Sequence, residues 1–93
     1  MEGLIPAFKI INENFAATQE NLDGAKETGC YILRQATSVP KGMNDHGVMF
    51  VAKVMGGGCL QITYTIRNKI YMRYCNSSGT WSDVTEFTGN LFE

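Results

Sequence analysis

The sequence predicts a mainly β protein with an N-terminal helix, in which a short coiled coil is followed by a small antiparallel β-meander knob. Three observations predict this fold. The chain has 93 residues, which is the size of one domain. Apolar residues recur with heptad spacing up to residue 22, and from residue 29 onward short apolar runs alternate with turn-forming residues. We therefore expect an oligomerisation helix over residues 1–26 and a β knob domain over residues 27–93.

The predicted helix occupies roughly residues 6–22. Pro6 suits the first turn of a helix, and Gly24 can adopt the left-handed conformation that often ends one. Steps of 4, 3, 4, 3 and 4 residues separate the positions of the predicted coiled-coil seam, which are Leu4, Phe8, Ile11, Phe15, Thr18 and Leu22.

An apolar stripe of this kind must be buried, and the residues leave two ways of burying it open. The helix could lie across the sheet of its own chain, or it could associate with the same helix of other copies. We favour self-association. A seam of fewer than three heptads does not by itself distinguish two strands from three.

The second part of the chain consists of short segments rich in β-branched and aromatic residues, separated by turns. Turn-forming residues stand at Met55–Gly58, Asn68–Lys69 and Asn76–Gly79. No connection is long enough for a parallel crossover, so we expect an antiparallel meander. The predicted strands are Gly29–Arg34, Gly47–Val54, Leu60–Arg67, Ile70–Cys75 and Val84–Phe87.

The alternation of side chains predicts which face of the sheet is buried. In the segment Leu60–Arg67 every second residue is apolar, so we expect Ile62 and Tyr64 to face the core. In the next strand Tyr71 and Arg73 have the opposite parity to the apolar residues. We therefore expect Tyr71 and Arg73 on the protein surface.

Composition argues against nucleic-acid binding and against membrane insertion. The net charge is −1, and the basic residues are scattered rather than clustered. No apolar run reaches the roughly 18 residues of a transmembrane helix, and the first residues lack the pattern of a signal peptide. We expect a protein that is made in a reducing cytoplasm.

No catalytic or metal-binding constellation is visible in the sequence. His46 is the only histidine, and nothing near it specifies a nucleophile. Cys30, Cys59 and Cys75 fit no metal or redox spacing, and the acidic residues stand singly. We expect free thiols, no enzymatic activity, no metal and no cofactor.

Aromatic residues near the last turn are the better candidates for a binding site. An aromatic ring can stack on the apolar face of a sugar while neighbouring polar groups bond to its hydroxyls. Packing in the core remains the alternative role for Trp81. The candidate receptor-binding residues are Tyr71, Arg73, Trp81, Asp83 and, in the loop 36–46, His46.

Several short segments occur in an order that is typical of one family. They are Glu27–Leu33, Gly47–Val51, Leu60–Tyr64, Ile70–Tyr74 and Gly79–Ser82. With these segments the β part resembles the pyocin-knob type of module at the ends of bacteriophage tail fibres and related phage-tail-like bacteriocins. The resemblance covers about two-thirds of the chain. The family often has a second tryptophan shortly after the first, and here Val84 and Phe87 occupy that region.

The resemblance implies a homotrimeric fibre-tip protein of a phage virion. Its short coiled coil would lead into a knob that binds a receptor on the host bacterium, often a glycan. The chain would be made in the bacterial cytoplasm and would assemble with other virion proteins. The alternative is a structural module of a head fibre or collar that attaches to the particle without binding a receptor. A glycan depolymerase would need carboxylates that meet across subunits.

Overall fold

The structure, a computed structural model, describes residues 9–35, 43 and 45–88. They form one six-stranded sheet in which the spatial order of the strands follows the sequence. Strand β1 pairs parallel to β2, and each later strand pairs antiparallel to the one before it. The elements are β1 Ile10–Ala16, α1 Gln19–Gly24, β2 Gly29–Arg34, β3 Gly47–Lys53, β4 Cys59–Thr65, β5 Lys69–Cys75 and β6 Thr85–Thr88.

The predicted N-terminal helix and coiled coil are wrong. Ile11 and Phe15 lie in β1, where they pack partly buried against the core. Thr18 is the N-cap of α1, and Leu22 is the buried residue of that helix. The remaining seam positions, Leu4 and Phe8, fall outside the described residues. Over those residues α1, with six residues, is the longest helix, and it is too short for a coiled coil.

Local chemistry explains why the segment before residue 17 is a strand. Asparagine competes with the helix by bonding to its own backbone, and the backbone N–H of Asn14 donates to the side chain of Asn12 at 2.8 Å. Phe15 instead packs on Tyr31 of β2, with ring centroids 4.8 Å apart. The residues with heptad spacing therefore do not form one helical stripe. Ile11 and Phe15 contact the core from β1, whereas Leu22 contacts it from α1.

Tight turns set the register of the antiparallel strands. Gly56 and Gly57 have φ angles of 95° and 100° between β3 and β4, a conformation that favours glycine. Asn68 has a φ of 63° between β4 and β5, which asparagine tolerates better than most residues. These turns hold Cys59 directly opposite Cys75 and keep β3, β4 and β5 paired over nearly their full length.

The predicted orientation of β4 and β5 is also wrong. Gln61 and Thr63 are fully buried on the face that carries the core, whereas Ile62 and Tyr64 point to the opposite, exposed face. We call the buried side the inner face and the exposed side the outer face. The inner face is covered by α1, which buries Leu22, and by Met43.

No helix among the described residues is long and apolar enough to cross a membrane.

Candidate functional site

The outer face of the sheet is the most extensive exposed feature of the described residues. Antiparallel register places directly opposite residues on one face, so the outer face can be read as rows across the strands. The rows are Ala52–Leu60–Tyr74, then Cys30–Phe50–Ile62–Met72–Thr85, then Ile32–Val48–Tyr64–Ile70–Phe87.

None of the residues in these rows carries a charge at neutral pH. Leu60 and Ile62 keep more than a third of their surface exposed, and Tyr64 and Phe87 are 50% exposed. A shallow groove of about 220 Å³ runs over β4, β5 and β6 and is lined mainly by Leu60, Ile62, Met72, Tyr74 and Phe87. The largest apolar patch on a soluble protein is often functional, so this face is the candidate interaction surface of the described residues.

The inner face holds a network of polar groups around Gln61. Its side-chain amide donates to the carbonyl oxygens of Leu22 at 2.7 Å and Ala25 at 2.9 Å. Its carbonyl oxygen accepts from Nε of Arg73 at 2.8 Å. Gln61 therefore gives a partner to the carbonyl of Ala25 and a second donor to the carbonyl of Leu22, which also accepts from the N–H of Ala25, and it fixes the C-terminal end of α1 to the sheet.

Arg73 completes this network as a buried cation. Its Nη2 lies 2.9 Å from Oδ1 of Asp23, a close ion pair that is not aligned as a hydrogen bond. The guanidinium stacks on Trp81, 3.8 Å from the ring centroid. Burial lowers the pKa of Arg73, and the Asp23 carboxylate opposes that shift. Arginine remains protonated in such a site. Its charged side chain therefore joins α1 to β5 and to the segment that follows β5.

The structure separates the predicted receptor-binding residues. Tyr71 and Arg73 are buried on the inner face, so their predicted position on the surface is wrong. Trp81 is half-buried, with one ring face occupied by Arg73. Asp83 is exposed near Trp81. His46 is exposed at the other end of the sheet, where its Nδ1 accepts from the backbone of Gln35 at 3.3 Å.

The cysteines have the character of buried structural thiols. Cys30, Cys59 and Cys75 are free and buried, and Cys59 lies opposite Cys75 across β4 and β5. Burial raises the pKa of the Cys30 and Cys59 thiols, which keeps them protonated at neutral pH. The part of the chain that the structure describes contains no group of three or more His, Cys, Asp or Glu side chains placed to hold a metal ion.

Sequence reasoning assigned the outer-face residues Ile62 and Tyr64 to the core and so did not identify the outer face as a candidate interaction surface. One signal was present in β3. Val48 and Phe50 are apolar on one side of this strand, and Met49 and Val51 are apolar on the other. A strand that is apolar on both sides indicates a sheet that is covered on both sides. The helix α1 covers only the inner face of the sheet.

The chain was compared with models of protein families, with curated proteins and with solved structures, and none of them matched it. The candidate site therefore stands on its geometry alone.

Proposed function

We propose that this chain is a non-catalytic attachment module of a bacteriophage fibre, which joins to protein through the outer face of its sheet. One observation carries the proposal: three uncharged rows of side chains lie on one face, and seven large apolar members of them are exposed. They are Phe50, Leu60, Ile62, Tyr64, Ile70, Tyr74 and Phe87. Removing such a surface from water is the main driving force of protein association. The phage setting is supported only by the ordered segments that resemble the pyocin-knob type.

Attachment is favoured over sugar recognition by the positions of the aromatic residues. A sugar-binding ring needs an open face and nearby hydrogen-bonding groups. Tyr71 is buried, and Arg73 occupies a face of Trp81. A glycan that stacked on Tyr71, or on the face of Trp81 that Arg73 occupies, would have to displace part of the inner-face network. The module is therefore proposed as a structural part of a fibre tip that contacts other virion proteins.

Site-specific photo-crosslinking tests the proposal. A photoreactive phenylalanine analogue replaces Tyr64 on the outer face or, as the control, Lys26, which is exposed on the inner-face side near Trp81. In bacteria that produce the protein with the other fibre components, we expect protein adducts from position 64 and few from position 26. Mass spectrometry identifies each adduct. Equal yields from the two positions would contradict attachment through the outer face.

A glycan array separates attachment from receptor binding. The labelled protein is applied to an array of bacterial surface polysaccharides, beside the Trp81→Ala and Asp83→Ala variants. We expect no binding that depends on either side chain. Saturable binding of one polysaccharide that both substitutions abolish would show instead that the module recognises a receptor near Trp81.

A further inference from the structure

We infer that the partner covering the outer face is a second copy of this chain, packed sheet against sheet. This inference rests on the proposed role of that face in attachment. Between copies, the residues that the sequence pattern assigns to a core, such as Ile62 and Tyr64, would be buried by another molecule instead of by their own chain.

The chemistry of the outer face suits contact with itself. A face that presented charges of one sign would repel an identical face, whereas these rows present none at neutral pH. Phe50, Ile62 and Met72 form a continuous apolar row across the three central strands. Side chains of this kind interdigitate between two sheets that lie about 10 Å apart.

The size of the face suits a weak contact between copies. Five strands about 4.8 Å apart, carrying residues that rise about 3.3 Å each, give a face of roughly 20 by 20 Å. Two such faces in contact remove on the order of 800 Å² from water, which is below the ~1,000 Å² of a stable specific interface, so we expect a contact that dissociates on dilution. Ile66, which is 71% exposed just beyond β4, can supply further apolar area at the rim.

Other occupants match the face less well. Nucleic acids and anionic lipid surfaces require clustered basic residues, and a glycan requires several hydrogen-bonding groups. The hydroxyl of Tyr64 already donates to Asn68 at 2.7 Å.

Light scattering and sedimentation velocity between about 1 and 100 μM test the inference. We expect the unmodified chain to form an oligomer that dissociates on dilution. Ile62→Glu should raise the dissociation constant at least 100-fold, because it places a charge in the middle of the interface. Lys26→Glu adds a carboxylate on the opposite side of the sheet and should change the constant by less than about threefold. Phe87→Glu, at the edge strand, is the second face variant if Ile62→Glu does not fold.

Hydroxyl-radical footprinting locates the contact. Met72 should be protected from oxidation in the oligomer, whereas Met55, which is 97% exposed in the turn after β3, should remain reactive. A monomer at 100 μM overturns the inference, and so does an oligomer that keeps Met72 reactive or survives both face variants. If the chain is monomeric but position 64 crosslinks to a different fibre protein, the proposed attachment function stands and only the identity of the partner is overturned.

Discussion

At the scale of single residues, Gln61 and Thr63 show what burial demands of a polar side chain. Both are fully buried on the inner face of β4, two residues apart. Gln61 makes three hydrogen bonds to α1 and Arg73. The hydroxyl of Thr63 has no partner among the residues that the structure describes. Substitutions at these two positions should therefore change stability in opposite directions.

Thr63→Val should stabilise the fold by about 1 kcal/mol, because valine has the same shape and carries no hydroxyl to desolvate. Urea unfolding, followed by circular dichroism at a fixed protein concentration, measures the change. Thr65→Val, at the next inner-face position of β4, is the comparison, since the Thr65 hydroxyl accepts from the backbone of Arg67. Destabilisation by Thr63→Val would show that its hydroxyl is bonded.

Gln61→Met should destabilise the fold by roughly 2–4 kcal/mol. The substitution preserves side-chain length but leaves the carbonyl of Ala25 and the Nε of Arg73 without their partner and removes one of the two donors to the carbonyl of Leu22. Each buried unpaired group costs about 1–3 kcal/mol before relaxation. The same urea experiment measures it. A loss below about 0.5 kcal/mol would mean that water replaces Gln61 in the network.

At the scale of elements, α1 is a short helix that depends on the sheet. Six residues are too few for stability alone, since isolated helices shorter than about 12 residues are marginal in water. The Thr18 hydroxyl accepts from the N–H of Asn21 at 3.1 Å, and Leu22 is buried against the inner face. The helix is therefore held by its cap, one apolar anchor and the Gln61 network.

Leu22→Ala should cost about 2–4 kcal/mol of stability, because it opens a cavity beneath α1. Glu20→Ala, at an exposed position of the same helix, should change stability by less than about 0.5 kcal/mol. Thermal and urea unfolding compare the two variants. A larger effect of Glu20→Ala than of Leu22→Ala would contradict the orientation of α1 on the sheet.

The strands were more predictable than the helix for a physical reason. β2, β3 and β5 are bounded by turn residues that leave few alternatives to an extended segment, and their predicted positions agree with the structure to within about a residue. The heptad spacing from Ile11 to Leu22 did not specify a helix, because pairing of β1 with β2 and the local bonding of Asn12 outweighed it. The spacing of apolar residues along the chain carries no information about these long-range contacts.

The candidate site could be predicted only in part. Alternation identified Ile62 and Tyr64 as members of one apolar face, and they are. It could not show whether that face meets the same chain or another molecule, because both give the same pattern of side chains. Arg73 was assigned to the surface because its parity is opposite to that of the apolar residues in its strand. Its burial depends on Gln61, Asp23 and Trp81, which are brought together only by folding.

At the scale of the whole molecule, burial of titratable groups makes stability depend on pH. Burial raises the pKa of Cys30 and Cys59 above the ordinary value of 9.0. Burial, followed by the nearby charge of Glu27, raises the pKa of Tyr31 above 10.0. A group whose pKa is raised on folding contributes stability that is complete below its unfolded pKa and is lost as the pH rises through its folded pKa.

Ionisation of these groups should therefore leave the free energy of unfolding unchanged up to about pH 8 and should lower it above about pH 9. Urea unfolding from pH 7 to pH 10.5 under reducing conditions measures the profile. A Cys30→Ala, Cys59→Ala double variant removes the two thiols and should have a shallower decline. A rise in stability above pH 9 would contradict the burial of these groups.

Strand direction determines how the domain would respond to force. β1 enters the sheet at the end where Cys30 begins β2, and β6 runs toward the opposite end, where Thr88 pairs with Lys69. A pull applied between Ile10 and Thr88 would act diagonally across the sheet, because these residues lie at opposite ends of the two edge strands. Its component along the strands would load the hydrogen bonds between neighbouring strands in shear, and its component across the sheet would draw the strands apart.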